Sequence, residues 1–424
     1  MSHTPARGET AAGASAEALA RRYDALFVDL DGVVYRGDRV VDGAPAVLDR
    51  VRALGIRVLF LTNNSARTPE EVAGKLEAFG VRTEPREVLT SALATAAILL
   101  REGASGQRAF VIGERGIREA LQGVGVEVLD GEPEAADLVV VGWDRSVDYA
   151  KLRTASLLVQ RGARLVATNP DASYPASDGL WPGAGAILSA ITTTTGATPA
   201  IVGKPQSPLF EAAAEIAGSS RPLVVGDRTD TDIRGARGMT WDSLLVLSGA
   251  SSPPSLLETS DLPTYVGRDI SVLLEDLVPA RFHRATTKDV TTIKALLDEA
   301  GLTAEGAEQR IDRTLVSAAG PDAEGIDATA CLLVEDGLGI LRSVAVRKEL
   351  QGKGLGVLAV AAVIAEARSA GLHHVSLFTE TAVAFFERLG FRVVDRGELP
   401  EPVRTSRHAA EECAASAAAM IREL

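Results

Sequence analysis

The sequence predicts an α/β protein: a doubly wound parallel sheet with a second α/β unit inserted into it, followed by an α+β domain. From Tyr23 onward, short apolar runs rich in β-branched residues alternate with longer amphipathic stretches, which is typical of buried parallel strands and their covering helices. The connection from Thr62 to Lys204 is far longer than the roughly 30–40 residues that one crossover needs, and it has a βα pattern of its own. After residue 281 the alternation gives way to consecutive strand-like runs.

These patterns predict the boundaries of the units. We expect a mobile leader at 1–22, a first unit at 23–86 and 179–280, an inserted cap at 87–178 and a C-terminal unit at 281–424. The segment from 250 to 281, rich in Ser, Pro and Asp, is read as the break before the C-terminal unit, with a helix from Ile270 to Leu277. In the C-terminal unit the sequence predicts three antiparallel strands, a helix from Gly354 to Ala370, a strand and a short helix.

Composition and charge exclude several classes of protein. The chain has 424 residues, which suits two to three domains, and a net charge of −13 at pH 7. That charge argues against sequence-independent nucleic-acid binding and against an anionic membrane surface as partner. The longest nearly apolar stretch, 355–365, is shorter than the roughly 20 residues that a bilayer requires. Neither Cys331 nor Cys413 lies in a CxxC pair, so we expect a cytoplasmic protein without a disulfide scaffold or thiolate zinc site.

The first predicted strand ends in two carboxylates. Asp29 and Asp31 lie in FVDLDG, and alternate residues of a strand face the same way, so both side chains can converge where Gly32 allows a turn. Taken alone this short pattern is weak, because it is equally compatible with a solvated turn.

Other predicted strand ends supply complementary groups at the same sheet edge. These are Thr62, Asn63 and Asn64 after one strand, Lys204 after another, and Asp227, Asp230 and Asp232 after a third. Carboxylates with a few waters are what Mg²⁺ prefers, and hydroxyl, amide and ammonium donors suit a phosphoryl group. Each residue also has an ordinary alternative: Lys204 as a surface lysine, and Asp227 as a helix cap.

The ordered set resembles the haloacid dehalogenase-like hydrolase superfamily. Four motifs appear in sequence: DLDG, TNN, the lysine of VGKP, and GDRTDTD. Shared phrases such as FVDLDGVVY, TNPD and PGAG bring the chain closest to the branch with nucleotide, phosphoglycolate, pyridoxal-phosphate and glycerol-phosphate phosphatases. The resemblance covers about residues 23–280.

The resemblance implies a role for each motif residue. Asp29 would attack phosphorus and form an aspartyl-phosphate, and Asp31 would protonate the leaving alcohol and then activate water. Mg²⁺ would be held by Asp29, the backbone carbonyl of Asp31 and Asp227, with Asp232 behind them or bonded to Lys204. The phosphate would be held by Thr62, the Asn63 N–H and Lys204.

The inserted unit resembles the caps that cover such sites and select the substrate. A large cap excludes water and favours a small phosphorylated metabolite over a protein substrate. Asn169, Asp171 and the turn from Gly142 to Arg145, with Asp144, are the candidate substrate residues. They are equally well explained as loop and hinge residues.

The C-terminal unit resembles the GCN5-related N-acetyltransferases. Gln351, Gly352, Lys353, Gly354 and Gly356 follow a strand and open a helix, where glycines let backbone N–H groups approach a pyrophosphate. The family implies acetyl-CoA binding by this loop, with Val344 and Val346 offering strand backbone to the pantetheine arm. Phe386 stands where many relatives carry a general-acid tyrosine, so we expect cofactor binding with slow or absent acetyl transfer.

The complete chain resembles actinobacterial glycerol-3-phosphate phosphatases that carry such a C-terminal unit. The sequence therefore predicts a Mg²⁺-dependent phosphatase with glycerol 3-phosphate as first substrate and phosphoglycolate, sugar phosphates and nucleotides as alternatives. One rival hypothesis makes acetyl transfer the principal activity. Another makes the C-terminal unit a non-catalytic acetyl-CoA sensor or assembly surface. The oligomeric state stays open.

Overall fold

The structure is a computed structural model that describes residues 18–176, 178–318, 325–406 and 416–424. Cys413 lies outside the described residues, and Cys331 is a buried free thiol.

The strands are numbered in chain order: β1 Ala25–Val28, β2 Tyr35–Arg36, β3 Arg39–Val40, β4 Arg57–Thr62, β5 Val88–Thr90, β6 Arg108–Ile112, β7 Glu127–Leu129, β8 Leu138–Val141, β9 Arg164–Ala167, β10 Ser173–Ala176, β11 Gly179–Pro182, β12 Ala200–Ile201, β13 Pro222–Gly226, β14 Asp242–Val246, β15 Tyr265–Gly267, β16 His283–Arg284, β17 Thr314–Ser317, β18 Ala328–Glu335, β19 Leu338–Val346, β20 His374–Thr379, β21 Arg392–Val394 and β22 Ala418–Glu423.

The α-helices are α1 Ala44–Ala53, α2 Pro69–Ala78, α3 Ser91–Arg101, α4 Arg115–Gly123, α5 Tyr149–Gln160, α6 Ala184–Thr195, α7 Ser207–Ala217, α8 Arg234–Gly238, α9 Pro253–Leu256, α10 Val290–Glu299, α11 Leu355–Ser369, α12 Val383–Arg388 and α13 Glu401–Arg404. Short 3₁₀ helices include Leu19–Arg22, Ile270–Leu274 and Thr287–Asp289.

The first unit is a six-stranded parallel sheet in the order β15-β14-β13-β1-β4-β5. All four residues of β1 are buried, as expected for a central strand covered on both faces. Leu26 and Val28 pack with residues of α1 and α2, whereas Phe27 packs with residues of α7 and α8. The predicted doubly wound core is therefore confirmed, and the carboxyl ends of β4, β1 and β13 lie side by side.

The inserted unit is a five-stranded parallel sheet in the order β12-β9-β8-β6-β7, with a hairpin formed by β10 and β11. Its strands lie between residues 108 and 201, later than the cap boundaries of 87 and 178 expected from the sequence. Strand β5 pairs with β4 and so extends the core sheet, while β12 pairs with β9 in the second sheet. Strands and helices alternate in the same way in both sheets, so only strand pairing shows which sheet a given strand joins.

The C-terminal unit is a seven-stranded sheet in the order β16-β17-β18-β19-β20-β22-β21. Strands β17, β18 and β19 are antiparallel, as the sequence predicts, and β19 pairs in parallel with β20. Helix α11 lies within one residue of its predicted bounds at each end. Helix α10 is preceded by a 3₁₀ turn whose capping box pairs Thr286 with Asp289.

Two expectations for the first unit are wrong. Residues 18–22 are not a mobile leader, because Leu19 is fully buried and its N–H donates to the Glu275 carbonyl at 2.8 Å. Within the segment 250–281, β15 forms the edge strand of the core sheet. The predicted helix at 270–277 is instead a 3₁₀ helix that ends at Leu274. The local sequence of these segments gives little indication of their structure, because their conformation depends on burial against the core.

The core sheet and the C-terminal unit share one apolar cluster. Leu245, Leu256 and Val266 of the first unit pack in it with Leu358 and Val363 of α11. No helix within the described ranges is both long and apolar enough to cross a membrane.

Candidate active site and the interdomain cavity

The turn after β1 places the two predicted carboxylates. The Asp29 N–H donates to the Val225 carbonyl at 2.8 Å, which keeps the chain in the sheet up to that residue. Gly32 then turns with a φ of +79°, and a Cβ there would lie 2.1 Å from Asp227 Oδ2. A residue other than glycine would therefore be strained and would displace Asp227, so this position links the first strand end to the third.

Lys204 lies at the centre of the carboxylates. Its Nζ donates to Asp29 Oδ1 at 2.5 Å, to Asp232 Oδ1 at 2.6 Å and to the Leu61 carbonyl at 3.3 Å, and the residue is only 3% exposed. Burial alone lowers the pKa of Lys204, but the charges of Asp232 and Asp29 outweigh it and raise that pKa above its usual value. The lysine is therefore a fixed cation, which excludes the alternative of a free surface lysine.

Asn63 joins the core to the cap. Its Oδ1 accepts the Lys204 backbone N–H at 2.8 Å, and its Nδ2 donates to the Lys204 carbonyl at 3.0 Å and to Asp171 Oδ2 at 3.1 Å. Asn169 Nδ2 donates to the Asn63 carbonyl at 2.7 Å. The Thr62 hydroxyl accepts the Asn64 N–H at 3.1 Å. Two of the candidate cap residues thus contact the motif that was expected to hold phosphate.

Three carboxylates offer a site for a cation. One oxygen from each of Asp29, Asp227 and Asp232 lies within 4.8 Å of the others. Burial and the charge of Asp232 raise the pKa of Asp227 to about 6, and burial raises the pKa of Asp29 well above its usual value although Lys204 acts in the opposite direction. Buried carboxylate oxygens that lie this close together fit a divalent cation such as Mg²⁺ or Ca²⁺, because these ions prefer oxygen ligands.

The Asp31 carboxylate is not part of that group of three. Burial raises its pKa, while the charge of Lys75 and the Gly37 N–H, which donates to Asp31 Oδ1 at 3.4 Å, act to lower it. Asp31 is therefore suited to carrying a proton at a pH where an exposed aspartate would have lost it. Asp232, expected behind the metal ligands or on Lys204, is hydrogen-bonded to Lys204.

A cavity of about 330 Å³ lies between the core and the cap. The predicted residues that line it are Asp29, Asp31, Thr62, Asn63, Asn169, Asp171, Lys204, Asp227 and Asp232. Asp144 does not line it. This carboxylate is 3% exposed, and it accepts from Lys151 Nζ at 2.7 Å and from the Ser146 N–H at 2.8 Å, so it fixes its own turn.

Sequence reasoning missed several lining residues, among them Arg36, Tyr174 and Arg228, whereas Trp143 belongs to the turn 142–145 that was expected at the substrate. Trp143 is the direct neighbour of Asp144, and its ring stacks on Tyr174 at a centroid distance of 4.0 Å. Tyr174 comes from the β10–β11 hairpin, three residues after Asp171. For Arg228, the available signal was its position directly after Asp227.

A second cavity, of about 640 Å³, contains the whole predicted cofactor loop. Val344, Val346, Gln351, Gly352, Lys353, Gly354 and Gly356 all line it. Strand β19 pairs with β20 only at Gly339 and Ile340, and Ser343 forms a bulge with a φ of +53°. The pairing of the two strands therefore ends at Ile340, and Val344 and Val346 beyond it line the cavity. Phe386 lines it with a buried ring and no hydroxyl.

Comparison with known families assigns both parts of the chain. The haloacid dehalogenase-like hydrolase family matches residues 26–127, a second HAD-hydrolase-like family matches 201–273, and the GNAT acetyltransferase family matches 312–391. The acid sugar phosphatase of Staphylococcus haemolyticus is 38% identical over 259 residues, which are 61% of this chain and 97% of that protein. The chain belongs to the haloacid dehalogenase-like hydrolases.

Solved structures extend the likeness into the C-terminal unit. A glycerol phosphate phosphatase from Mycobacterium tuberculosis in complex with magnesium is 29% identical, with a TM-score of 0.68, over 88% of this chain and 98% of that one. The p-nitrophenyl phosphatase of Archaeoglobus fulgidus is 30% identical, with a TM-score of 0.57, over 60% of this chain and 99% of its own. The expected enzyme class, a phosphoric monoester hydrolase, and the acetyltransferase-type domain are both confirmed.

Proposed function

We propose that this hydrolase is a Mg²⁺-dependent phosphatase of small phosphate monoesters, with glycerol 3-phosphate as the first candidate substrate. The observation that carries the proposal is the set formed by Asp29, Asp31, Lys204 and Asp227 in one small cavity beneath the cap. It combines a nucleophile, an acid, a fixed cation and a candidate metal ligand around one point.

The residues suit a two-step reaction through an aspartyl-phosphate. With the phosphate held by the Thr62 hydroxyl, the Asn63 N–H and Lys204, an Asp29 oxygen attacks phosphorus as the bond to the leaving oxygen breaks. Asp31 gives its proton to that oxygen, which leaves as an alcohol. Asp31 then takes a proton from water, whose oxygen attacks phosphorus, so that phosphate leaves and the Asp29 carboxylate returns.

The carboxylates Asp29 and Asp227 and the Asp31 carbonyl are the groups that would hold Mg²⁺. When bound, the ion neutralises negative charge on the carboxylates and on the phosphoryl group. Asp232 holds Lys204 at 2.6 Å and so keeps its ammonium directed at Asp29.

The size and polarity of the cavity support a small polar ester. Its volume of about 330 Å³ is at the lower end of the usual range for ligand sites. Asn169, Asp171 and Arg228 add hydrogen-bonding groups to the wall, which suits a leaving group rich in hydroxyls. Two of the relatives named above are a sugar phosphatase and a glycerol phosphate phosphatase, in agreement with this substrate class.

A substrate panel tests the phosphatase proposal. Glycerol 3-phosphate, phosphoglycolate, hexose phosphates, nucleotides and a phosphopeptide would be compared with Mg²⁺ and with excess chelator. We expect a small polyol phosphate to have the highest kcat/KM, and chelator to abolish turnover until Mg²⁺ is restored. Preference for the phosphopeptide would contradict the cap argument, and full activity in chelator would contradict the metal assignment.

A second function, acetyl-CoA binding, is favoured by the cavity around residues 351–356. The loop opens the 15-residue helix α11, and Val344 and Val346, which follow the last β19 residue paired with β20, line the same cavity. Because Phe386 provides no acid for a departing thiolate, we expect binding with slow or absent acetyl transfer. Transfer from radiolabelled acetyl-CoA to amines at a rate that exceeds phosphatase turnover would instead support acetyl transfer as the principal activity.

A further inference from the structure

The cavity around residues 351–356 is not enclosed by the C-terminal unit alone. The core contributes apolar residues and two charged ones to the opposite wall: Leu247, Pro253, Val266, Val272, Leu277, Arg268 and Glu275. The two walls also touch, because a Cβ on Gly354 would lie 2.8 Å from the Val266 carbonyl of β15. The site that the sequence predicts for one domain is therefore a cavity between two.

The charges around this cavity favour an anion. Three cations line it, Lys353 and Arg388 from the C-terminal unit and Arg268 from the core, against one carboxylate, Glu275. Within the described residues Lys353 and Arg388 form no ion pair. Arg268 Nη2 donates to Glu275 Oε1 at 2.9 Å and to Ser271 Oγ at 3.0 Å. Its Nε lies 3.6 Å from Asp269 Oδ2. These two ion pairs leave the Nη1 N–H groups of the guanidinium available to a phosphate.

The remaining lining is largely apolar. Val344, Val346 and Phe385 of the C-terminal unit face the same space as Val266, Val272 and Leu277 of the core. An excess of cations together with two apolar walls suits a ligand that carries phosphates on one part and an extended uncharged arm on another.

We propose that the phosphatase core completes this ligand site and that Arg268 is one of its binding residues for the phosphates of an acyl-CoA-type ligand. The inference rests on the proposed binding of acetyl-CoA and extends it from one domain to two. Bound ligand would contact β15 and the segment 266–277 of the core as well as the loop 351–356. The C-terminal unit without the core would lack one wall and one cation of the site.

Calorimetric titration of the full chain with acetyl-CoA tests the proposal. The wild-type protein would be compared with Arg268→Glu, with Lys353→Glu, and with Arg237→Glu as control. Arg237 is a matched control because it is a core arginine with a side chain 61% exposed, against 67% for Arg268, is ion-paired to Asp261, and does not line the cavity. Thermal unfolding would verify that each variant folds.

We expect Arg268→Glu and Lys353→Glu each to weaken acetyl-CoA binding about tenfold, and Arg237→Glu to leave the Kd within about twofold, since losing a charge-assisted hydrogen bond to phosphate costs about one decade in affinity. Weakening by Lys353→Glu but not by Arg268→Glu would overturn this inference and leave acetyl-CoA binding by the C-terminal unit intact. Absence of binding to the wild-type chain, or binding that neither cavity variant changes, would overturn both.

Discussion

The two cavities of this protein differ in how their charges are held. In the catalytic cavity the central cation, Lys204, is 3% exposed and bonded to two carboxylates. In the interdomain cavity the cations Lys353 and Arg388 have no ion pair within the described part of the chain, and the walls are apolar. A site that stabilises charge developing during reaction needs groups fixed in advance, whereas a site that only binds an anion can use solvent-exposed cations. The comparison supports chemistry in the first cavity and binding in the second.

The two cavities nevertheless share one segment of chain. Leu247 and Pro253 line the interdomain cavity. Between them, the Ala250 N–H donates to Asp227 Oδ2 at 2.6 Å and the Ser248 hydroxyl donates to the Gly32 carbonyl at 2.6 Å. Variants in the catalytic cavity and variants in the interdomain cavity can therefore show separately how catalysis and the contact between the domains are affected.

The largest effect is expected at Asp29, the proposed nucleophile. Asp29→Asn removes the attacking carboxylate while keeping the shape of the side chain, and kcat should fall by at least roughly 10³-fold. Steady-state kinetics on the best small ester, with circular dichroism as the check on folding, measure it. A folded variant with near-normal turnover would exclude the covalent mechanism.

The next effect is expected at Gly249, which belongs to the shared segment. A Cβ there would lie 2.0 Å from Asp227 Oδ2, so Gly249→Ala must displace a candidate metal ligand. We expect kcat to fall roughly tenfold to a hundredfold and the Mg²⁺ concentration for half-activation to rise, because small displacements of catalytic groups are costly. Gly123→Ala is the control, since a Cβ there meets nothing within 4 Å. Equal activity of the two variants would show that Asp227 does not require its present position.

A smaller effect is expected at Gly354, which lines the interdomain cavity. Gly354→Ala and Gly352→Ala both place a side chain in left-handed backbone, with φ of +86° and +77°, but only at 354 would the Cβ meet the Val266 carbonyl. Backbone strain alone should cost about 1 kcal/mol in each variant, so the extra loss in Gly354→Ala measures contact between the domains. Melting curves of both variants test this. Equal decreases in melting temperature would mean that the loop 351–356 does not contact β15.

The smallest effect is expected at the ion pairs between the domains. Glu258 of the core pairs with Arg368 and with the buried Arg422 of the C-terminal unit. Glu258→Gln should cost about 1 kcal/mol in the free energy of unfolding, whereas Glu215→Gln, at an exposed pair of 3.8 Å within the first unit, should cost less. Urea denaturation of both variants measures the difference. A larger loss at Glu215 would contradict a stabilising role for the interdomain pairs.

The same pairs predict a dependence on pH. Burial acts to raise the pKa of Glu258, but the hydrogen bond and charge of Arg368 and the charge of Arg422 outweigh it and lower that pKa below its usual 4.5. A carboxylate with a lowered pKa stabilises the folded state above its usual pKa, and this contribution is lost as the pH falls through the lowered value. The stability difference between wild type and Glu258→Gln should therefore shrink below about pH 4.5.

Much of the catalytic site could be predicted from the sequence, because motif residues at the ends of parallel strands must meet at one edge of the sheet. Asp29, Asp31, Thr62, Asn63, Lys204, Asp227 and Asp232 all line one cavity, as predicted. Asp144 does not line this cavity, contrary to its proposed place at the substrate. A buried aspartate that caps its own turn looks the same in the sequence as one that faces a substrate. Tyr174 was missed because its place in the cavity depends on how a hairpin packs on the cap.

The sequence by itself determined the two classes of fold, the order of the motifs and the chemistry at the strand ends, because hydrophobic periodicity and residue type act over a few positions of chain. Tertiary structure alone decided which sheet β5 and β12 join, how residues 18–22 are buried, and that the second cavity has a wall from each domain. Strand pairing and domain packing bring together residues more than a hundred positions apart. Such contacts depend on the shapes of whole surfaces, and no local pattern in the chain records them.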